Sequence, residues 1–186
     1  MFQPKHVANA RHRKAKPMSD FYNKTLLMVR RLLPYVLLFL IAQFAIRLTL
    51  AIYSHASLTT VADWLLPFAT GYLYDDSVVL MALPVLMVFP TLLPKSWAGG
   101  RLDRSVAFCA FAILAFLMIF QGISEFFFWD EFTTRFNFIA VDYLIYTQEV
   151  LANILESYPV VPLLGLAAGL SLAIAWLSRK SLFGGL

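Results

Sequence analysis

The sequence predicts an all-α membrane protein: about four transmembrane helices, with interfacial amphipathic helices on the outer face. Three observations lead there. The 186-residue chain is 60% hydrophobic and 14% charged, against about 45–50% apolar and about 25% charged in soluble domains. Its apolar residues gather into blocks of about 16–21, the length a bilayer core demands. Thirteen of its fifteen Lys and Arg fall in three segments that those blocks separate.

Residues 1–31 form a basic tail. Lys5, Arg11, Arg13, Lys14, Lys16, Lys24, Arg30 and Arg31 stand there against Asp20 alone. Beside a span, such a tail reads as a cytoplasmic anchor on anionic lipid, not as a nucleic-acid arm. The following apolar run exceeds the about 7–15 residues of a signal-peptide core, which favours an uncleaved first span.

The transmembrane domain is expected over 32–178. Its first span, about 32–52, carries Gln43 and Arg47. A charge at that depth either snorkels to the interface or pairs with an outer carboxylate. Residues 57–74 are apolar but broken by Asp63, Pro67 and Gly71. They read as an outer interfacial or partly re-entrant helix. Asp75 and Asp76 then cap the next helix, where carboxylates favour the positive end of the dipole. The second span is about 78–93, kinked by Pro84 and Pro90. A Gly-Gly turn follows, flanked by Lys95, Arg101 and Arg104. The third span, about 105–123, carries Gln121 and leads into an outer segment, 125–158. The last span is about 160–177, with Gly165 and Gly169 in a GxxxG spacing that favours helix packing. Residues 179–186 form a cytoplasmic end.

With the N-terminus inside, Arg47 and Arg135 alone among the Lys and Arg fall outside the cytoplasmic segments. Nine acids, from Asp63 to Glu156, fall on the other side. The positive-inside rule therefore places both termini in the cytoplasm. All four Trp lie at span ends or in interfacial segments, as an aromatic belt requires.

Residues 135–158 are too polar for a span and too regular for a plain loop. On a helical wheel, Arg135, Asp142, Glu149, Asn153 and Glu156 share one face, and Ala140, Leu144, Leu151, Ile154 and Tyr158 the other. This is an amphipathic helix or a broken pair of helices with its apolar side toward the membrane. Pro159 ends it.

Chemistry-bearing patterns are sparse. His6, His12 and His55 have no metal-ligand spacing with one another or with an acid. Cys109 is the sole cysteine, so no disulfide forms within one chain. No GxSxG, P-loop or HExxH pattern occurs. Glu125, Asp130 and Glu131 cluster outside. They read as a solvated edge in preference to a divalent-cation site.

The stretch WDEFTTRFNFIAVDYLIYTQEVLANILESYPV, with Arg135, Asn137, Asp142, Tyr143, Glu149 and Asn153, resembles the membrane region of the bacterial lipoteichoic-acid-synthase-like, or sulfatase-like phosphoglycerol transferase, family. GYLYDDSVV is similar to the family's Gly-x-x-x-Asp entry to a span, matched here by Gly71 and Asp75. The resemblance covers most of residues 30–178. It implies a bacterial cytoplasmic (inner) membrane protein. It also implies a large extracytoplasmic domain of alkaline-phosphatase-like fold, carrying a divalent metal and a Thr nucleophile. That domain moves phosphoglycerol or a similar headgroup from a phospholipid to an acceptor. Nothing in residues 1–186 matches it.

The expectation is therefore a truncated membrane module, not catalytic alone, with no cofactor of its own. Its partners are membrane lipids and a phosphatase-like catalytic domain or another membrane chain. Arg135, Asn137, Asp142, Tyr143, Glu149 and Asn153 are the candidate docking residues for substrate or domain. Arg47, Asp75 and Gln121 are intramembrane structural polar groups. The alternatives are a free-standing membrane scaffold and, ranked last, a small transporter.

Overall fold

The computed structural model describes residues 5–92, 99–135 and 147–183; of residues 5–25, 27, 89–91, 147 and 149–151 it describes the backbone alone. The described residues are helical and contain no strand. They form α1 (Lys5–Tyr53), a 3-10 turn at His55–Ser57, α2 (Val61–Leu92), α3 (Arg101–Phe132), α4 (Thr147–Ser157) and α5 (Val160–Phe183). Four segments are long and apolar enough to cross a membrane: Met28–Tyr53, Val61–Val88, Arg101–Phe132 and Val160–Phe183. The chain is an all-α, multi-pass membrane protein.

Several element boundaries differ from those read in the sequence. Helix α1 begins at Lys5, so the basic tail is helical and continuous with the first span instead of a separate segment. Segments 57–74 and 78–93 are one helix, α2, which runs unbroken through Asp75 and Asp76. The cap lies upstream of Asp75, at Thr60 and Asp63. Asp63 Oδ2 accepts the Thr59 and Thr60 backbone N–H at 3.1 and 2.8 Å. The Thr60 hydroxyl accepts the Asp63 N–H at 3.2 Å. This is a reciprocal capping box, and it starts the helix. Asp75 needs no helix end to satisfy it, because Arg47 of α1 does so. Helix α3 extends to Phe132, so residues 125–132 of the outer segment 125–158 belong to it. Helix α4 takes the last third.

Helix α3 lies against α5 over their length, and α1 packs on α2, α3 and the edge of α5. The α3–α5 seam is built from small residues. Ala112 and Ala115 of α3 and Ala167, Ser171 and Ala175 of α5 are all buried. Spaced four apart on α5, these let two backbones approach closely, which substitutes for a hydrophobic driving force inside lipid. Gly165 and Gly169 are not part of this contact. A Cβ at either would meet nothing within 4 Å. The packing motif of α5 is thus Ala-xxx-Ser-xxx-Ala, two residues out of phase with the GxxxG pair, and faces another side of the helix. Tyr35 of α1 closes the core edge-on to Phe111, with ring centroids 5.4 Å apart, and donates its hydroxyl to the Ala107 carbonyl at 2.8 Å.

Candidate functional site

Polar side chains form a ladder of cross-helix contacts with α1 as its spine. At the end of the bundle where α3 begins, Arg31 donates to Asp103 at 2.6 Å. The same Asp103 oxygen accepts the Gly99 N–H at 2.8 Å. Gly99 sits at φ 76°, a left-handed conformation that glycine adopts without steric cost and that lets the turn fold its N–H back onto the carboxylate.

Farther along α1, Gln43 donates to Gln121 of α3 at 3.3 Å. Next to it Arg47 donates to Asp75 of α2 at 3.0 Å, with both residues buried. The Arg47 Cα lies six residues before the end of α1, about 9 Å of helix. Helical side chains slant toward their own N-terminus, so the guanidinium points deeper into the bundle, away from the near interface. Arg47 thus pairs and does not snorkel. Gly71, one turn before Asp75, leaves the space that the guanidinium fills: a Cβ there would stand 2.2 Å from Arg47 Cζ. The Gly71-x-x-x-Asp75 spacing therefore has a physical content. One residue gives room for a cation and the other, on the same helix face, neutralises it. Arg47 Nε is left buried with no hydrogen-bond partner among the described residues.

The other end of the bundle, around Tyr53, holds the candidate site. Helix α3 ends where Thr133 turns left-handed, at φ 52°, and returns its N–H to the Trp129 carbonyl at 2.7 Å. That αL cap reverses the chain. Arg135 then folds back so that its Nε donates to Glu125, ten residues earlier. The two partners differ in exposure. The Glu125 side chain is 2% exposed and that of Arg135 is 42%. A buried carboxylate thus holds a cation that stays partly exposed. Tyr53 donates to Asp130 at 2.5 Å, fastening α1 to the last turn of α3. Phe127 stacks on Tyr158 with ring centroids 4.1 Å apart, fastening α3 to the start of α5. Between these ties lies an open apolar groove of about 410 Å³, lined by Ile46, Thr49, Gly122, Phe126 and Phe127, with Leu163 from α5. Comparisons with protein-family models, with curated proteins and with solved structures give no match to this chain.

Of the residues singled out in the sequence, Arg47, Asp75 and Gln121 all make cross-helix contacts. Arg135 is anchored by Glu125 just past the end of α3. Asn153 is exposed on α4. Glu149 lies on α4, its side chain outside the described residues. Asn137, Asp142 and Tyr143 lie outside the described residues altogether. The apolar side of α4 is open, with Ile154 39% and Leu155 59% exposed, as befits a helix lying at a lipid surface.

Glu125 is the residue that the sequence reading misplaced, grouped there with Asp130 and Glu131 as a solvated edge. The structure splits that cluster: Glu125 is buried under Arg135, Asp130 takes Tyr53, and Glu131 is exposed. A signal was present. Glu125 follows Gln121 by one turn, on the face that already meets α1. Among the described residues no three His, Cys, Asp or Glu come together as metal ligands.

Proposed function

We propose that this chain is the membrane module of a lipid-headgroup phosphotransferase, lying in a bacterial cytoplasmic membrane with both termini in the cytoplasm. The observation that carries the reading is Arg135. It is half-exposed, held by the buried Glu125, and stands at a face whose other described charges, Asp63, Asp130, Glu131 and Glu156, are acidic. An anchored guanidinium at a membrane surface suits a phospholipid phosphate, which it can meet with N–H groups that bond no other described residue while Glu125 fixes its position. The apolar groove at the same end of the bundle suits one acyl chain of a lipid. The resemblance of residues 129–159 to the phosphoglycerol transferase family supports the same assignment. In this reading the chemistry belongs to a phosphatase-like domain, and this chain presents the lipid to it.

The test joins the chain ahead of a soluble phosphatase-like domain of that family and follows phosphoglycerol release from phosphatidylglycerol vesicles. The fusion should outpace the soluble domain alone. Arg135→Ala should remove roughly ten- to hundredfold of the rate, the worth of a charge-assisted hydrogen bond of about 1.5–3 kcal/mol. A fusion no faster than the soluble domain would sink the reading.

A further inference from the structure

A second groove, of about 330 Å³, lies between α1 and α2, where Ile41, Phe44, Phe68 and Tyr72 surround the Arg47–Asp75 pair. All of these residues belong to the membrane-crossing segments Met28–Tyr53 and Val61–Val88. The groove therefore opens sideways into lipid and not toward water. Ile41, Phe44 and Tyr72 are exposed and form its mouth. The ion pair within it is incompletely satisfied. Of the three Arg47 nitrogens only Nη2 bonds a described residue, Asp75 Oδ2 at 3.0 Å. Nε is closed in against Gly71 with no partner. Nη1 has none among the described residues either, and it is not enclosed as Nε is. The same holds for Asp75 Oδ1. The Arg47 side chain is 7% exposed and that of Asp75 12%, and the little of each that stays accessible lines the groove. A charged donor and a charged acceptor left bare in lipid are costly.

We infer that this groove binds a neutral glycerolipid with a free hydroxyl, a diacylglycerol. Its ester carbonyl accepts from Arg47 Nη1 and its hydroxyl donates to Asp75 Oδ1. Charge selects the class. Arg47 and Asp75 already neutralise each other, so a phospholipid headgroup or a fatty-acid anion would bring an uncompensated charge into the membrane interior. Hydrogen bonding selects within it. The pair offers a donor and an acceptor, and a ligand that satisfies both must carry an acceptor and a donor. A quinone accepts but does not donate, and a triacylglycerol has no hydroxyl. Size agrees. A volume of about 330 Å³ is at the lower end of the roughly 300–1,000 Å³ of small-molecule sites. It has room for a glycerol backbone and the first methylenes, with the chains running out past Ile41 and Phe44 into the bilayer. The inference rests on this groove and not on the proposed function. Binding is measured with no catalytic domain present, so either can fail alone.

The experiment places the full chain in phosphatidylcholine vesicles with a trace of diacylglycerol carrying a diazirine early in one acyl chain. After irradiation, labelled peptides are read by mass spectrometry. Adducts should concentrate at Ile41, Phe44, Phe68 and Tyr72. Unlabelled diacylglycerol should displace them at about tenfold lower mole fraction than triacylglycerol or a quinone, the worth of a hydrogen bond to a charged group. The Arg47→Met, Asp75→Leu double variant exchanges the pair for apolar groups and should lose that preference, so that diacylglycerol and triacylglycerol displace the label alike. Adducts spread evenly over the exposed apolar residues of α1 and α2 overturn the proposal. So does triacylglycerol that competes on the wild type as well as diacylglycerol, or a double variant that keeps the preference. A quinone that displaces the label better than diacylglycerol overturns it too, and assigns the groove to a ligand that only accepts.

Discussion

The Arg47–Asp75 pair is the clearest case of one residue determining the environment of another. Alone, each is a charge inside an apolar span. Together, with Gly71 cleared for the guanidinium, they form a buried contact between α1 and α2. Removing one partner leaves the other charge buried and uncompensated, which costs about 3–5 kcal/mol. Arg47→Met or Asp75→Leu alone should lower unfolding stability in mixed micelles by that order. The double variant should recover most of the loss, since a buried pair exchanged for apolar groups is close to neutral. Gly71→Ala should destabilise the wild type by displacing the guanidinium. In the Arg47→Met background the same change should be neutral or mildly stabilising, because alanine favours a helix over glycine by roughly 0.5–1 kcal/mol. Independent, additive effects of Gly71→Ala and Arg47→Met would show that the space is not held for the cation.

Among the elements, α5 and α2 differ in what holds them. Helix α5 is seated on α3 by close backbone approach over Ala167, Ser171 and Ala175. Enlarging Ala175, which is fully buried, to Leu should cost about 1–3 kcal/mol through overpacking. Gly169→Leu points into open space and should change stability little. The reverse ranking in a detergent thermal melt would mean that the GxxxG face carries the contact. Helix α2 depends instead on its capping box, the Arg47 contact and the tilted Phe44–Phe68 ring pair at 5.5 Å. Among the described residues, so few attachments leave much of its circumference exposed.

For the whole molecule, the proposed orientation follows from charge. Arg30, Arg31, Arg101, Arg104, Arg179 and Lys180 lie at the Asp103 end, and Arg179 stacks over Trp176 at 4.0 Å from the ring centroid. Asp63, Glu131 and Glu156 lie at the Tyr53 end. In spheroplasts of a Cys109→Ser chain, a membrane-impermeant maleimide should label Asn153→Cys directly and Lys180→Cys only after permeabilisation. The opposite pattern would invert the proposed topology and remove Arg135 from the outer surface.

Much of this was legible in the chain itself. Apolar block length gave an all-α membrane protein with four crossing segments, because a bilayer fixes the length of any helix that spans it. The intramembrane polar residues Gln43, Arg47 and Gln121 stood out because lipid penalises them wherever they fall. Their partners did not, since a hydrogen bond between residues 78 apart has no local sequence signature. The continuity of α2 was hidden for the same reason. Asp75 looked like a helix cap until a cation from α1 made it tolerable inside the helix. The opening of Arg135 toward the surface likewise depended on the αL turn at Thr133 and on a carboxylate ten residues away. Composition and periodicity settled what must lie in the membrane. Only the tertiary structure decided which charges meet there, because pairing is set by which helix faces are brought together and not by what either helix contains.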